Sequence, residues 1–275
     1  MAPHRAIHQV MGTVASLHIH DTAPAESLAV ATSAVFAELD RLEAMFSTFR
    51  PDSEISRLNR GELSIAECGE EVVDVLDACT WLEHQSSRAF RIEPPARPGQ
   101  LDPAGFVKGW AAERSTRLLR EAGLGDWYLS VGGDIQTSGR PEPGALWTVA
   151  IADPFNAGGV LTTLPIPVNG AIATSGTAER GEHMWRAMGS CAEGSAGIAA
   201  GTSAATDDVA VVSVTVIGPH LTWADAFATT AFAMGPAGLT WLARYPAYQG
   251  WAVRSDGVVL TSPTSASDSA RPRRL

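Results

Sequence analysis

The chain has 275 residues, of which 30 are acidic and 20 basic, giving a formal net charge of −10 at pH 7. A chain of this length can bury a core without disulfides or structural metals. The acidic balance argues against a general binder of nucleic acids or anionic membranes, since either function needs a basic surface.

The N-terminal segment, residues 1–21, alternates apolar and polar residues like a strand, and we expect it to be folded. It lacks the basic start, apolar core and cleavage site of a signal peptide, and no apolar run is long enough to span a membrane. The three cysteines (Cys68, Cys79 and Cys191) have no C-x-x-C spacing. These features favour a reducing, cytoplasmic location.

Two amphipathic helices are predicted next. The first follows Pro24, and the second lies near residues 72–82. Their apolar faces are Leu28, Val35, Leu39, Leu42 and Phe46 in the first, and Val72, Leu76, Cys79 and Leu82 in the second. The polar segment 46–61, interrupted by Pro51, predicts a loop, and the proline-rich segment 88–100 predicts a connector.

The stretch LDPAGFVKGWAAERSTRLLREAGLGDWYLSVGGDI, residues 101–135, places small residues and isolated charges at both ends of a helix. We predict that helix over residues 107–122, capped by Gly123 and followed by a short buried strand ending at Gly132–Gly133. The glycines fit either a pair of tight turns or main-chain N–H groups that closely approach an anion. Lys108 could meet a phosphate, although most lysines are solvated.

The second half of the chain mixes strands and helices irregularly. Strands are predicted at residues 147–154 and 209–219, a small-residue helix at 222–235, and a hairpin around Asp256–Gly257. This order indicates an α+β fold. Residues 262–275 are rich in Ser, Pro and Arg and predict a disordered C-terminal tail.

Asp225 and Thr229 stand four residues apart in the small-residue helix and so share one of its faces. A buried carboxylate needs a cation or a metal, and oxygen ligands of this kind suit magnesium. Alternatively, Thr222 caps the helix N-terminus and Asp225 completes the cap. Spacing alone favours the cap.

A second candidate site lies in residues 168–185. Thr174, Ser175 and Gly176 are predicted to form a small-residue loop, which could offer N–H groups and hydroxyls to an anion or could be a solvated turn. His183 could be a general base or a surface residue. Signatures of P-loop, Rossmann, zinc-protease and serine-hydrolase sites are missing from the sequence.

Taken in order, several runs between Met11 and Gly235 resemble the ApbE family, the FAD:protein FMN transferases. These runs are MGTVASLHI, FSTFRPDSEISRLNRG, LDPAGFVKGWAAER, SVGGDI, WTVAIADP, AIATSGTAERGEH and SVTVIGPHLTWADAFATTAFAMG. The resemblance implies a single α+β domain, residues 1–261, in which helices flank mixed sheets and a ligand cleft lies between two lobes.

The resemblance also implies a set of site residues. Magnesium would be held by the main-chain carbonyl of Gly105, in the motif Asp102–Gly109, together with Asp225 and Thr229. His183 and Asp225 would be catalytic. The residues expected to bind FAD are Met11, Asn59, Asp102, Gly105, Lys108, Gly132, Gly133, Thr174, Ser175 and Gly176.

The reaction implied is attack by a Ser or Thr hydroxyl of a target flavoprotein on the FMN-side phosphorus of FAD, with AMP leaving. FAD would be the substrate and Mg²⁺ the cofactor, neutralising charge on the pyrophosphate. No membrane span and no nucleic-acid partner are expected.

The sequence departs from the family pattern at two points. The segment after His183 lacks the usual Asp-Pro, and Arg91 stands where an acid is usual. Two alternatives stay open. A magnesium-dependent FAD pyrophosphatase that gives FMN and AMP would use the same metal site, and the altered segment after His183 favours an FAD-binding protein without catalysis.

Overall fold

The computed structural model describes residues 2–156, 158–177 and 209–263. Within these ranges the strands are β1 (His4–Val10), β2 (Thr13–Ile19), β3 (Trp127–Val131), β4 (Asp134–Ser138), β5 (Thr148–Ala152), β6 (Val160–Pro165), β7 (Ala171–Gly176), β8 (Val211–Gly218), β9 (Gln249–Arg254) and β10 (Val259–Thr261). β5 and β6 pair as a ribbon, and the others form an antiparallel sheet in the order β1-β2-β3-β4-β7-β8-β9-β10.

The helices of the described residues are α1 (Ala25–Phe46), α2 (Glu54–Asn59), α3 (Glu70–Gln85), α4 (Ala104–Ser115), α5 (Arg117–Glu121), α6 (Leu221–Met234) and α7 (Gly238–Leu242). Mixed helices and an antiparallel sheet confirm the predicted α+β class. No helix of the described part combines the length and apolar character that crossing a membrane requires.

The main sheet is covered on both faces. Alternate residues of its strands, such as Leu17, Leu129 and Val214, pack with the helices in the larger core. The intervening positions face the ribbon, whose apolar residues meet Ile172 and Ile217 of the sheet in a second, smaller core. The two-residue period of a strand makes this double covering possible.

The N-terminal segment is a hairpin rather than one strand. Met11 and Gly12 have φ angles of +53° and +68°, which are typical of a two-residue turn between right-twisted strands. Glycine adopts this conformation freely, whereas methionine does so at a steric cost. The turn therefore fixes the position of Met11 at one end of the sheet.

The structure corrects two predictions about local structure in the first half of the chain. The predicted loop 46–61 contains α2, because Ser53 accepts a hydrogen bond from the Ser56 N–H (3.0 Å) and caps a turn that buries Ile55. The predicted helix 107–122 begins earlier, at Ala104, and divides at Thr116 into α4 and α5. Gly123, with φ of +76°, follows the end of α5 as expected.

The C-terminal hairpin forms as predicted, with β9 and β10 paired antiparallel. Beyond it, Ser262 is buried and exchanges hydrogen bonds with the main chain of Gly250. Residues 264–275 of the predicted tail lie outside the described residues. Cys68 and Cys79 are free thiols, and Cys191 also lies outside the described residues.

Candidate active site

The helices α4 and α6 pack against each other through glycine. A Cβ atom added at Gly109 would lie 2.7 Å from Asp225 Cβ and 2.8 Å from the Leu221 carbonyl oxygen. At Gly105, an added Cβ would lie 3.5 Å from Thr229 Cγ2. The small residues of the motif Asp102–Gly109 therefore do not form a tight turn, which was one of the two possibilities for these glycines. Instead, they allow α4 and α6 to approach each other closely.

A cluster of three buried charged side chains joins these helices to the sheet. Lys108 Nζ lies 3.0 Å from Asp225 Oδ2 and also forms an ion pair with Asp134 Oδ2. The side chains of Lys108, Asp134 and Asp225 are only 10%, 1% and 0% exposed. Lys108 is therefore not the solvated lysine that composition alone would favour. In their ordinary charged forms, one ammonium and two carboxylates leave the cluster with a single negative charge.

Asp225 does not cap α6, so the capping alternative is wrong. It is the fifth residue of a helix that begins at Leu221, and it points instead at α4, where Oδ2 accepts a hydrogen bond from the Gly109 N–H (2.9 Å). Asp225 Oδ1 is buried and has no hydrogen-bond partner among the described residues. Such an oxygen is costly to bury and suits a ligand to a cation.

Asp134 is a site residue that the sequence reasoning missed. Its Oδ1 accepts a hydrogen bond from the Thr174 N–H (3.0 Å), while Oδ2 pairs with Lys108. Gly132 and Gly133, with φ angles of +57° and +90°, form the turn that leads into it. The sequence signal for this residue is the Gly-Gly-Asp that follows a buried strand, of which only the two glycines were predicted to be site residues.

Thr229 and Ser175 meet beside this cluster, with their hydroxyl oxygens 3.0 Å apart. Residues 174–176 belong to β7, so the predicted loop there is wrong: β7 hydrogen-bonds to β8 through Gly176. Strand alternation separates the side chains, because Thr174 hydrogen-bonds to Thr215 Oγ1 (2.9 Å) while Ser175 faces α6.

The strand registers bring other predicted residues to the same end of the sheet. The pair Val10 and Thr13 closes the first hairpin, and the pair Val131 and Asp134 closes the turn between β3 and β4. The C-terminal residues of β7 lie at the same end of the sheet. Met11, Gly132 and Gly133 therefore lie at the end where Asp134 enters the cluster. The order of the strands brings these residues together, and no short sequence motif indicates that they are neighbours.

Asn59 and Asp102 have structural partners near the start of α4. The Asn59 side-chain amide donates to the Leu101 carbonyl (2.9 Å) and accepts from the Leu101 N–H (2.7 Å). Asp102 accepts from the Ala104 N–H (3.2 Å) and pairs with Arg97 (2.5 Å). Both residues hold the chain that leads into α4. His183 lies outside the described residues.

The described residues fit a hard divalent cation. The oxygens available are the unpartnered Asp225 Oδ1 and the Thr229 hydroxyl, one helical turn apart, beside Gly105 and within a cluster of net negative charge. No group of three or more His, Cys, Asp or Glu side chains in the described residues could hold a metal. A cation here would therefore rely on one carboxylate and on neutral oxygens.

Comparison with known proteins gives consistent matches. The model of the ApbE family matches residues 11–96 and 92–251. The FAD:protein FMN transferase of Escherichia coli K12 is 28% identical over 114 residues, which are 39% of this chain and 32% of that protein. The one from Buchnera aphidicola is 31% identical over 78 residues, 28% of this chain and 23% of that protein. The matched segments thus span about a quarter to a third of these relatives.

Among solved structures, the flavin transferase ApbE from Vibrio cholerae superposes with a TM-score of 0.72 at 18% identity, covering 96% of this chain and 97% of that one. Agreement over nearly the whole of both chains shows that the two share a fold.

Proposed function

The chain belongs to the ApbE family, and we propose that it is a magnesium-dependent FAD:protein FMN transferase. It would join FMN through a phosphodiester to a Ser or Thr of an acceptor flavoprotein and release AMP. The observation that carries this proposal is the unpartnered, fully buried Asp225 Oδ1 within a cluster that has one ammonium for two carboxylates. Its relatives in Escherichia coli and Buchnera aphidicola bear the name of this activity.

We assign the magnesium ligands to Asp225, Thr229 and the Gly105 carbonyl. When bound, the ion would neutralise charge on the pyrophosphate of FAD as a bond to phosphorus is made and another is broken. Lys108 and Asp134 hold Asp225 in place, since Lys108 binds Asp225 Oδ2 and leaves Oδ1 available.

FAD would lie at the end of the sheet where the two turns meet. Gly132 and Gly133 have positive φ angles there, so their backbone can come close to a phosphate without a side chain in the way. Met11 is presented at this end by its own turn. The other residues proposed to border FAD are Asn59, Asp102, Gly105, Lys108, Thr174, Ser175 and Gly176.

The acceptor hydroxyl must lose its proton as it attacks phosphorus. We assign this role to His183, on its place in the family motif. A histidine can accept a proton at neutral pH and later release it to solvent. The departure from the family pattern directly after His183 favours a second candidate, an FAD-binding protein without catalysis. In an FAD pyrophosphatase, which would use the same metal site, water would replace the acceptor hydroxyl.

The proposal is tested by incubating the protein with FAD and Mg²⁺, with and without an acceptor protein, and measuring AMP and acceptor mass. We expect AMP release that depends on magnesium and on the acceptor, together with an acceptor mass increase equal to FMN minus water. AMP and free FMN without an acceptor would indicate the pyrophosphatase. Saturable flavin binding without AMP under either condition would indicate a binding protein without catalysis.

A further inference from the structure

Glu113, in the last turn of α4, binds the start of α6. Its Oε2 accepts hydrogen bonds from the Thr222 N–H (2.9 Å) and the Thr222 hydroxyl (2.7 Å), while its Oε1 lies 2.7 Å from His220 Nδ1. The first N–H groups of a helix have no partner within the helix, and α6 has no cap from its own N-cap side chain. Side chains from other elements therefore supply the cap: Gln136 of β4 accepts from the Leu221 N–H (3.1 Å), and Glu113 of α4 accepts from the Thr222 N–H.

This contact helps to set how far α6 can slide along α4. At Gly109 the helices are joined by the hydrogen bond to Asp225 Oδ2 and by the Lys108–Asp225 ion pair, but Gly109 has no side chain to interlock with α6. Glu113 adds a second point of attachment at the start of α6. Thr222 precedes Asp225 by three residues on a rigid helix, and Glu113 follows Gly109 by four. Any shift at Thr222 is thus transmitted to Asp225 and Thr229 along the helix axis.

Glu113 also borders a cavity of about 340 Å³ that Phe106, Trp110, Thr222 and Trp223 help to line. Water from this cavity can reach the first turn of α6 if the carboxylate is removed. In Glu113→Ala, water would therefore hydrogen-bond to the first N–H groups of α6, which would not be left buried without a partner. The variant should still fold for this reason.

We propose that Glu113 is a positioning residue for the magnesium site: by capping α6 it helps to set the distance of Asp225 and Thr229 from Gly105. This inference rests on the proposed function, because it concerns the metal site assigned there. A purely structural cap would contribute stability alone, whereas a positioning residue changes metal binding in molecules that remain folded.

The chain offers a matched control in Asp21. Its carboxylate accepts hydrogen bonds from the Gly125 N–H (2.9 Å) and the Asp126 N–H (2.8 Å), far in sequence from α4 and α6. Asp21→Ala therefore removes a carboxylate that satisfies main-chain donors, as Glu113→Ala does, but leaves the contact between these helices intact.

The experiment measures Mg²⁺ binding by calorimetry with FAD present, and amide hydrogen exchange in α6, for wild type, Glu113→Ala, Glu113→Gln and Asp21→Ala. Each is studied well below its own unfolding temperature. We expect Glu113→Ala to weaken Mg²⁺ binding about five- to thirtyfold, the range of a helix cap, and to speed exchange in the first turn of α6. Glu113→Gln keeps one acceptor oxygen and should recover part of the affinity, and Asp21→Ala should bind Mg²⁺ like wild type.

Faster exchange in Glu113→Ala with wild-type Mg²⁺ affinity would overturn the positioning role and leave a stability cap. Equal losses of affinity in Glu113→Ala and Asp21→Ala would overturn it too, since the effect would then be general. Failure of the metal assignment in the proposed function is distinguishable, because wild type itself would then show no Mg²⁺ binding in the presence of FAD beyond that of FAD alone.

Discussion

Comparing Asp225→Asn with Asp134→Asn tests whether Asp225 is a metal ligand, as proposed, or only a charge partner of Lys108 like Asp134. Both changes remove one negative charge from the same buried cluster and leave Lys108 with one carboxylate. Breaking a buried ion pair completely costs about 3–5 kcal/mol, so with one partner remaining we expect each variant to lose roughly 1–3 kcal/mol of unfolding free energy. Stability should therefore fall to a similar extent in both.

Magnesium binding should respond very differently in the two variants. Asp134 reaches the proposed metal site indirectly, through Lys108 and through the main chain of β7, and loss of such an outer partner typically weakens metal binding about ten- to a hundredfold. Asp225 carries Oδ1, which has no hydrogen-bond partner in the described part of the chain, so Asp225→Asn would remove the proposed charged ligand itself. We expect it to weaken Mg²⁺ binding at least about tenfold more than Asp134→Asn does.

The assay is AMP release from FAD as a function of Mg²⁺ concentration, with Mg²⁺ binding measured in parallel by calorimetry. High Mg²⁺ should restore Asp134→Asn at concentrations that leave Asp225→Asn largely inactive. Thermal stabilisation by saturating Mg²⁺, about 2.7 kcal/mol at a hundredfold excess over Kd, should be lost first in Asp225→Asn. Overlapping Mg²⁺ curves for the two variants would refute direct ligation by Asp225 and leave it a charge partner like Asp134.

Three further predictions concern packing, chemistry and pH. Gly109→Ala places a Cβ 2.8 Å from a main-chain oxygen and should lower the free energy of unfolding by about 1–3 kcal/mol or more. Gly105→Ala should cost less, because its Cβ first meets a phenylalanine ring at 3.3 Å. Thermal denaturation compares the two variants, and equal losses of stability would contradict the close contact at Gly109. His183→Ala should slow FMN transfer about a hundredfold in single-turnover assays while FAD affinity stays unchanged, and unchanged turnover would exclude it as the base. The pKa of Glu71 is lowered mainly by its hydrogen bond to Arg41, so its contribution is complete above the unfolded pKa and lost as pH falls through the folded one. The stability difference between wild type and Glu71→Gln, about 1 kcal/mol or less for this partly exposed pair, should thus shrink below about pH 4, which denaturation at several pH values measures.

Periodicity predicted the elements whose hydrophobic pattern is long and regular. The apolar faces of α1 and α3 are buried as their spacing indicates, and the β9–β10 hairpin turns where Asp256–Gly257 predicted it. The short helix α2 was missed, because its six residues are too few for a helical period and Pro51 suggested a loop. Its cap, Ser53 bonded to the third residue after it, was the available signal.

The site was only partly predictable, for a reason of topology. Asp225 and Thr229 were found because both lie on one face of one helix, where spacing is informative. Asp134 and Lys108 lie on different elements, and the tertiary packing of α4 against β4 and α6 brings them together. The register of two helices in contact through glycine leaves little trace in hydrophobic periodicity. For the same reason, no pattern in the sequence singled out Glu113.

A contribution to fold stability does not explain why α6 carries a buried aspartate at position 225. It is the only ionisable residue among the fourteen of α6, and its neighbours are mostly alanine, threonine and phenylalanine. Burying its charge beside Asp134 requires Lys108, and the three together still leave a net negative charge in a nearly dry interior. Well-packed apolar side chains in place of such a cluster are often as stable or more stable, by about 1–4 kcal/mol. A chain selected for folding alone would have little use for this arrangement, whereas a divalent cation would offset the negative charge of the cluster and would be bound by Asp225 Oδ1, which has no hydrogen-bond partner among the described residues.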